Sequence, residues 1–173
     1  SGGGATESGS QSVTLTITEN ESTPTVTLSS SASSIAENAG SALTLTATLS
    51  GATDENVTVS ISTSGTGTEG TDYETISDIT ITAGNTTGTT SFTPTDDSTY
   101  EGDETAIVAI SGVSGGSASE SGTQVVTLTI TENESAPTVT LTTSASSIAE
   151  NAGASLTLTA TLSGIADENV TVS

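Results

Sequence analysis

The feature that most constrains this chain is a repeat. "TLTITENES" runs from Thr14 to Ser22 and returns from Thr127 to Ser135, while "SASSIAENAG" runs from Ser31 to Gly40 and returns from Ser144 to Gly153, both after 113 residues. At that offset residues 1–60 and 114–173 agree at 49 of 60 positions. A period of that length is the size of a small domain, so the chain reads as a tandem array. Pro24 and Pro137 follow the two "TENES" copies, and a proline breaks a strand because it lacks a backbone donor and restricts its predecessor. The units are therefore placed at 1–22 (the last strand of one repeat), 23–135 (a complete repeat) and 136–173 (the opening of the next). Two or three residues beside a proline make a short, stiff junction.

Within the unit, apolar and polar residues alternate with period two. The predicted strands are Thr25–Leu28, Leu43–Leu49, Val57–Ile61, Ile79–Thr82, Thr90–Thr93, Ala106–Ile110 and Val125–Thr131. In "LTLTATL" the inward set is Leu43, Leu45, Ala47 and Leu49; in "NVTVSIS" it is Val57, Val59 and Ile61. With 39 Thr and 30 Ser, and only Phe92, Tyr73 and Tyr100 as aromatics, the core must be thin and the strands rich in branched side chains. Glycine- and aspartate-rich turns separate the strands. Seven strands in such a unit predict an all-β fold, an immunoglobulin-like antiparallel β-sandwich repeated in tandem. "SIAE" at Ser34–Glu37 fits a capping box, but the "NAG" that follows favours a kinked edge strand over a helical turn.

Charge then excludes whole classes of function. The chain has 21 Asp and Glu, no Lys, Arg or His, and a formal charge of −21. Nucleic acid and anionic membrane surfaces are bound through Lys and Arg, so neither is an expected partner. No apolar run approaches a membrane-spanning helix, and no signal peptide is visible in "SGGGATESGS". The lack of Met marks a window on a longer polypeptide. Ser and Thr nucleophiles need a base such as His or Lys, so no enzyme is expected.

The acids collect in loops. "AEN" precedes the second of the seven strands, "GTDYE" follows the third, "DDSTYEGDE" precedes the sixth and "TENES" follows the last, so all four can meet at one end of a sandwich. Two like charges at 4 Å repel by roughly 4 kcal/mol at an effective dielectric of about 20. With no cation in the chain, compensation must be imported, and hard carboxylate oxygens without His or Cys suit Ca²⁺ better than Zn²⁺, Cu²⁺ or Mg²⁺. Each group also has a plainer reading: Glu37 as a cap, Asp72 as a turn former, Asp96 and Asp97 as a solvated turn.

"ENAG", "GTDYE", "DDSTYEGDET" and a closing "VTLTITENE", in that order and spacing, resemble the Calx-beta domain over all of 23–135. That module occurs in sodium–calcium exchangers, integrin cytoplasmic regions and very large bacterial surface proteins. The resemblance implies an immunoglobulin-like sandwich with Ca²⁺ at the end facing the next domain. Carried over by position, the ligands are Glu37, Asp72, Asp96, Asp97, Glu101, Glu104, Glu132 and Glu134. Calcium-binding members close with a run of Asp, whereas this chain has Glu-Asn-Glu with an amide at Asn133. Glu7, Asp54, Glu55, Glu69, Glu74, Asp78, Asp103 and Glu120 are expected to be solvated surface.

The resulting expectation is a segment of a secreted or cell-surface bacterial fibre or giant adhesin, stiffened by Ca²⁺ at its junctions. Its partners would be neighbouring repeats and lateral copies in a fibre. The alternatives are a recognition module for glycan, ice or cell surface using outward Thr rows, and a filament subunit that donates Val13–Ile17 to another chain.

Overall fold

A computed structural model describes residues 3–18, 20–151 and 153–173. Residues 25–131 fold as two facing sheets. The elements are β1 (Thr25–Ser30), β2 (Ser34–Ala36), β3 (Leu43–Leu49), β4 (Val57–Gly65), β5 (Ile79–Ile81), β6 (Thr87–Phe92), β7 (Thr99–Tyr100), β8 (Glu104–Ser114), β9 (Ser119–Glu120) and β10 (Val125–Thr131). One sheet has the order β6-β3-β1-β9 and the other β2-β10-β8-β4-β5. After Pro137 come β11 (Val139–Thr143), β12 (Leu158–Leu162) and β13 (Ile165–Ala166). β11 pairs with β12, and β13 pairs in parallel with β7.

The period-two pattern becomes burial directly. Val26 and Leu28 of β1, Leu45, Ala47 and Leu49 of β3, and Phe92 of β6 face Val57 and Val59 of β4, Ile79 and Ile81 of β5, Ala106 and Val108 of β8, and Leu128 and Ile130 of β10. The threonines between them point outward, as the alternation of side chains along a strand requires. Tyr73 reaches in from the loop after β4 and packs its ring 4.9 Å from that of Phe92, which thickens a core otherwise made of aliphatic residues. Leu43 and Ile61, expected inside, are only half-buried. Ile61 sits where the β4–β8 register shifts, and a bulge there weakens the alternation. β4 and β8 run longer than their apolar stretches, because ladder hydrogen bonds continue past the core to Gly65 and Ser114.

"SIAE" is a strand edge rather than a helical turn. The chain leaves the four-stranded sheet at the end of β1 and joins the opposite sheet as β2, pairing in parallel with β10 from Ser34–Thr129 to Ala36–Thr131. This crossing sets Glu37 beside the end of β10, and its N–H donates to the Thr131 carbonyl at 3.0 Å. The ends of β2, β4, β6 and β10 and the start of β8 all lie at one pole of the sandwich.

The copy of β10 in residues 12–18 forms no strand, and Val13, Leu15 and Ile17 are almost fully exposed. β10 is held by β8 and β2, and residues 1–22 contain no copy of either.

Gly65 closes β4 at φ +128°, and a Cβ added there would stand 2.1 Å from the Thr105 carbonyl oxygen. Gly65→Ala is expected to cost at least about 2 kcal/mol, from the left-handed backbone and the overlap together, read as a shifted urea midpoint.

Candidate metal centre

Four segments converge at this pole. Glu37 follows β2, Asp72 lies in the loop after β4, Asp96 to Glu104 run between β6 and β8, and Glu132 and Glu134 follow β10. Three groups of carboxylates result, each with ligand atoms within 4.8 Å of one another: Glu37, Glu132 and Glu134; Glu37, Asp97 and Glu101; and Asp72, Glu101 and Glu104. Glu37 and Glu101 are each shared by two groups, so the three form one continuous cluster. Asp96 is exposed and belongs to none of them, although its charge is felt at Glu134. Seven of the eight residues singled out from the sequence are thus brought together and one is not.

Backbone N–H groups hold the cluster in shape. The Glu132 Oε2 accepts from the N–H of Glu101 at 2.6 Å and of Gly102 at 2.8 Å, and its Oε1 accepts from Asn133 and Glu134, each at 2.9 Å. Gly102 has φ +79°, a conformation that an L side chain rarely adopts. Glu37, 6% exposed, accepts the N–H of Asp97 at 3.1 Å, and Asp72, 9% exposed, accepts that of Thr68 at 2.6 Å. Asp97 closes a local turn by accepting the Thr99 N–H at 2.6 Å.

Several acids read as surface from sequence also have structural partners, while Asp78 and Asp103 remain exposed. Asp103 accepts the Glu132 N–H at 3.0 Å and so fixes the residue that organises the cluster. Glu69 accepts from the Thr63 hydroxyl and the Ile76 N–H, and Asp78 accepts the Ile61 N–H just beyond the β4–β5 pairing. These roles depend on loop geometry that no spacing along the chain reveals.

The electrostatics divide the cluster. Burial, followed by the charges of Asp72 and Glu101, pushes Glu104 up to about 7. Burial likewise raises Glu37 and, with Asp72 and Asp97 beside it, Glu101. Glu134 is raised chiefly by the Glu132 carboxylate that it faces. At Glu132 burial also pushes upward, but the hydrogen bonds from Glu134, Glu101 and Gly102 outweigh it and bring the group down to about 2.

A divalent cation fits this donor set. All candidate side-chain ligands are carboxylate oxygens, the kind of donor that Ca²⁺ takes in sets of six to eight. A small cavity of about 10 Å³ lies among Glu37, Asp72, Glu101, Glu104 and Glu132. Glu134 Oε2 is buried with no hydrogen-bond partner, an orphan of the kind that calls for an ion or a water. Each pair of charges at about 4.8 Å repels by roughly 3 kcal/mol at an effective dielectric of about 20.

The Calx-beta domain family model matches residues 19–134. The chain belongs to the Calx-beta family. A crystal structure titled as the apo form of the Calx CBD1 domain is similar with a TM-score of 0.52 and 18% identity, over 63% of this chain and 98% of that one. A structure titled CBD12 from CALX1.2 is similar with a TM-score of 0.50 and 19% identity, over 57% of this chain and 41% of that one. At these identities the likeness establishes the Calx-beta sandwich fold. A comparison with curated protein sequences gives no significant match.

The raised pKa of Glu104 makes metal-free stability pH-dependent. Its folded value, about 7, lies above the ordinary 4.5, so between those values the native state keeps a proton that the unfolded chain has released. That contribution is full below pH 4.5 and is lost as pH rises through about 7; Glu37 and Glu101 act in the same direction. Glu132 acts oppositely, contributing above pH 4.5 and losing its contribution as pH falls toward about 2. In EDTA, urea unfolding is expected to show about 1–2 kcal/mol more stability at pH 5 than at pH 7.5, after allowing for solvent screening of partly exposed groups. Glu104→Gln should flatten that slope.

Proposed function

We propose that this chain is a segment of a tandem Calx-beta array in an extracellular or cell-surface fibre or adhesin, with Ca²⁺ binding at the acidic pole of each unit. The observation that carries this reading is the convergence of seven carboxylates, two of them deeply buried, in a chain without a single Lys, Arg or His. Glu37, Asp72, Asp97, Glu101, Glu104, Glu132 and Glu134 would hold the metal, with Asp103 and the N–H groups of Glu101 and Gly102 orienting Glu132. Bound Ca²⁺ supplies the positive charge the protein lacks, so the loops after β2, β4, β6 and β10 are drawn onto one centre. Extracellular modules bind Ca²⁺ at roughly 10⁻⁴–10⁻³ M, which suits a site occupied outside the cell and emptied where calcium is scarce. The array has units at about 1–22, 23–135 and 136–173, and its role is structural rather than catalytic.

The outward Thr rows give limited support to a recognition surface. Thr87–Thr48–Thr27 and Thr89–Thr46–Ser29 cross three strands, but those strands are antiparallel. An ordered array on parallel strands, the arrangement that would favour ice binding, is not what these residues form.

Saturating Ca²⁺, at about one hundred times the dissociation constant, should stabilise the folded unit by about 2.7 kcal/mol and raise Tm by roughly 10 °C. Differential scanning calorimetry with CaCl₂ and with EDTA measures this. Glu37→Gln and Glu101→Gln should each remove most of the calcium-dependent rise. An unchanged Tm in the unsubstituted chain would overturn the reading.

A further inference from the structure

Asp167 belongs to the segment after Pro137, yet it stands at the acidic pole of the preceding sandwich. Ile165 pairs with Thr99 and Ala166 with Tyr100, and the N–H of Asp167 donates to the Tyr100 carbonyl at 3.2 Å. This pairing brings Asp167 beside Glu101, the residue that follows Tyr100. Between them lies a cleft of about 280 Å³ lined by Tyr100 and Glu101 on one side and Pro137, Asp167, Glu168 and Asn169 on the other. Asp167 is exposed and lines this cleft with Glu101, at the edge of the Asp72, Glu101 and Glu104 group. A backbone ladder that drives another carboxylate toward an unpaired acidic cluster works against Coulomb repulsion unless a cation sits between them.

We propose that Asp167 is a ligand supplied across the repeat junction to the cation held by Asp72, Glu101 and Glu104, so that this site is shared by two consecutive units. The inference rests on the reading of the pole as a Ca²⁺ site and adds that one of its ligands comes from the next repeat. The repeat itself supports it. Asp167 is the copy of Asp54, which lies in the loop before β4 at the opposite pole of the complete unit. There Asp54 shares a cleft with Glu21, the copy of Glu134, so the same loop meets the preceding repeat at both junctions. Each unit therefore carries an acidic cluster at one end and the loop that approaches the previous cluster at the other.

The matched substitutions Asp167→Asn and Asp54→Asn test this in the full 173-residue chain. Residues 1–22 hold no copies of Asp72, Glu101 or Glu104, so Asp54 has no such site to complete here. Isothermal titration with CaCl₂ should show one class of site weakened by about tenfold in Asp167→Asn and unchanged in Asp54→Asn, because loop-site affinity follows the number of charged ligands. Spin labels at Thr80→Cys and Thr159→Cys, both exposed in a chain without native cysteine, report the junction independently. Ca²⁺ should narrow their distance distribution in the otherwise unsubstituted chain and fail to do so with Asp167→Asn. Calcium binding and narrowing that are the same with and without Asp167→Asn would overturn the shared site while leaving the pole reading intact. Absence of calcium binding in the unsubstituted chain would overturn both.

Discussion

Repulsion among carboxylates at one pole is the constraint around which this unit is organised. The strands carry the acidic loops to one pole, because β2, β8 and β10 are fixed by ladder hydrogen bonds and by the buried apolar core between the sheets. The folded chain therefore stores electrostatic cost in its loops and offsets it with burial elsewhere. Two kinds of relief are visible within the protein. Backbone N–H groups stabilise the ionised Glu132, and protonation relieves Glu104, held up to about 7. Neither supplies a positive charge, and in the proposed function that part falls to Ca²⁺.

The sequence made the sheet legible and much of the site with it, for different reasons. Alternation of Leu and Thr in Leu43–Leu49 and of apolar and Thr residues in Val125–Thr131 locates those two strands to the residue, because side-chain direction in a strand is set by the pleat itself. Loop order places the segments that hold Glu37, Asp97, Glu101 and Glu132 at one pole, since connections at one end of an antiparallel sandwich must share space, and the resemblance to the Calx-beta domain singles out those residues within them. Partners that depend on the path inside a loop were hidden. Asp96 and Asp97 are neighbours in sequence, but only Asp97 turns toward Glu37. Asp103 looks like any acid in an acidic run until its oxygen is seen on the Glu132 N–H. Two-residue strands such as β7 and β13 carry no periodicity, so the pairing that brings Asp167 to the pole left no local signal. Its signal lies in the repeat, since Asp167 is the copy of Asp54, an acid in the loop before β4 at the far end of the unit.

The same geometry explains why the ends of this chain differ from its middle. In the complete unit Leu28, Leu45 and Leu49 are covered by the opposite sheet, whereas their copies Leu141, Leu158 and Leu162 remain exposed on β11 and β12. Nearly identical local sequence gives the same antiparallel register, β1 with β3 and β11 with β12, because the register follows the apolar alternation of the strands. Burial is set by the second sheet. Local pairing and core formation are therefore separable in this fold, and a unit gains most of its apolar stabilisation only when both sheets are present.

Polarity follows from that division of labour. The acidic pole is built from the ends of β2, β4, β6 and β10, and the opposite pole from the loops before β4 and after β8, so the two ends of a unit are chemically different surfaces. A contact between unlike surfaces is head-to-tail, and such a contact propagates without closing when successive rotations do not form a ring. In a covalent array the linker fixes which ends meet, and the Ile165–Ala166 pairing with Thr99–Tyr100 begins three residues after the end of β12 and lies at the acidic pole of the preceding sandwich. A cation placed there would act on a contact already aligned by backbone hydrogen bonds, so that little ordering is left for binding to accomplish. Stiffness of the proposed array would then depend on calcium through the few residues at each junction, and the sandwiches between them would remain folded as calcium varies.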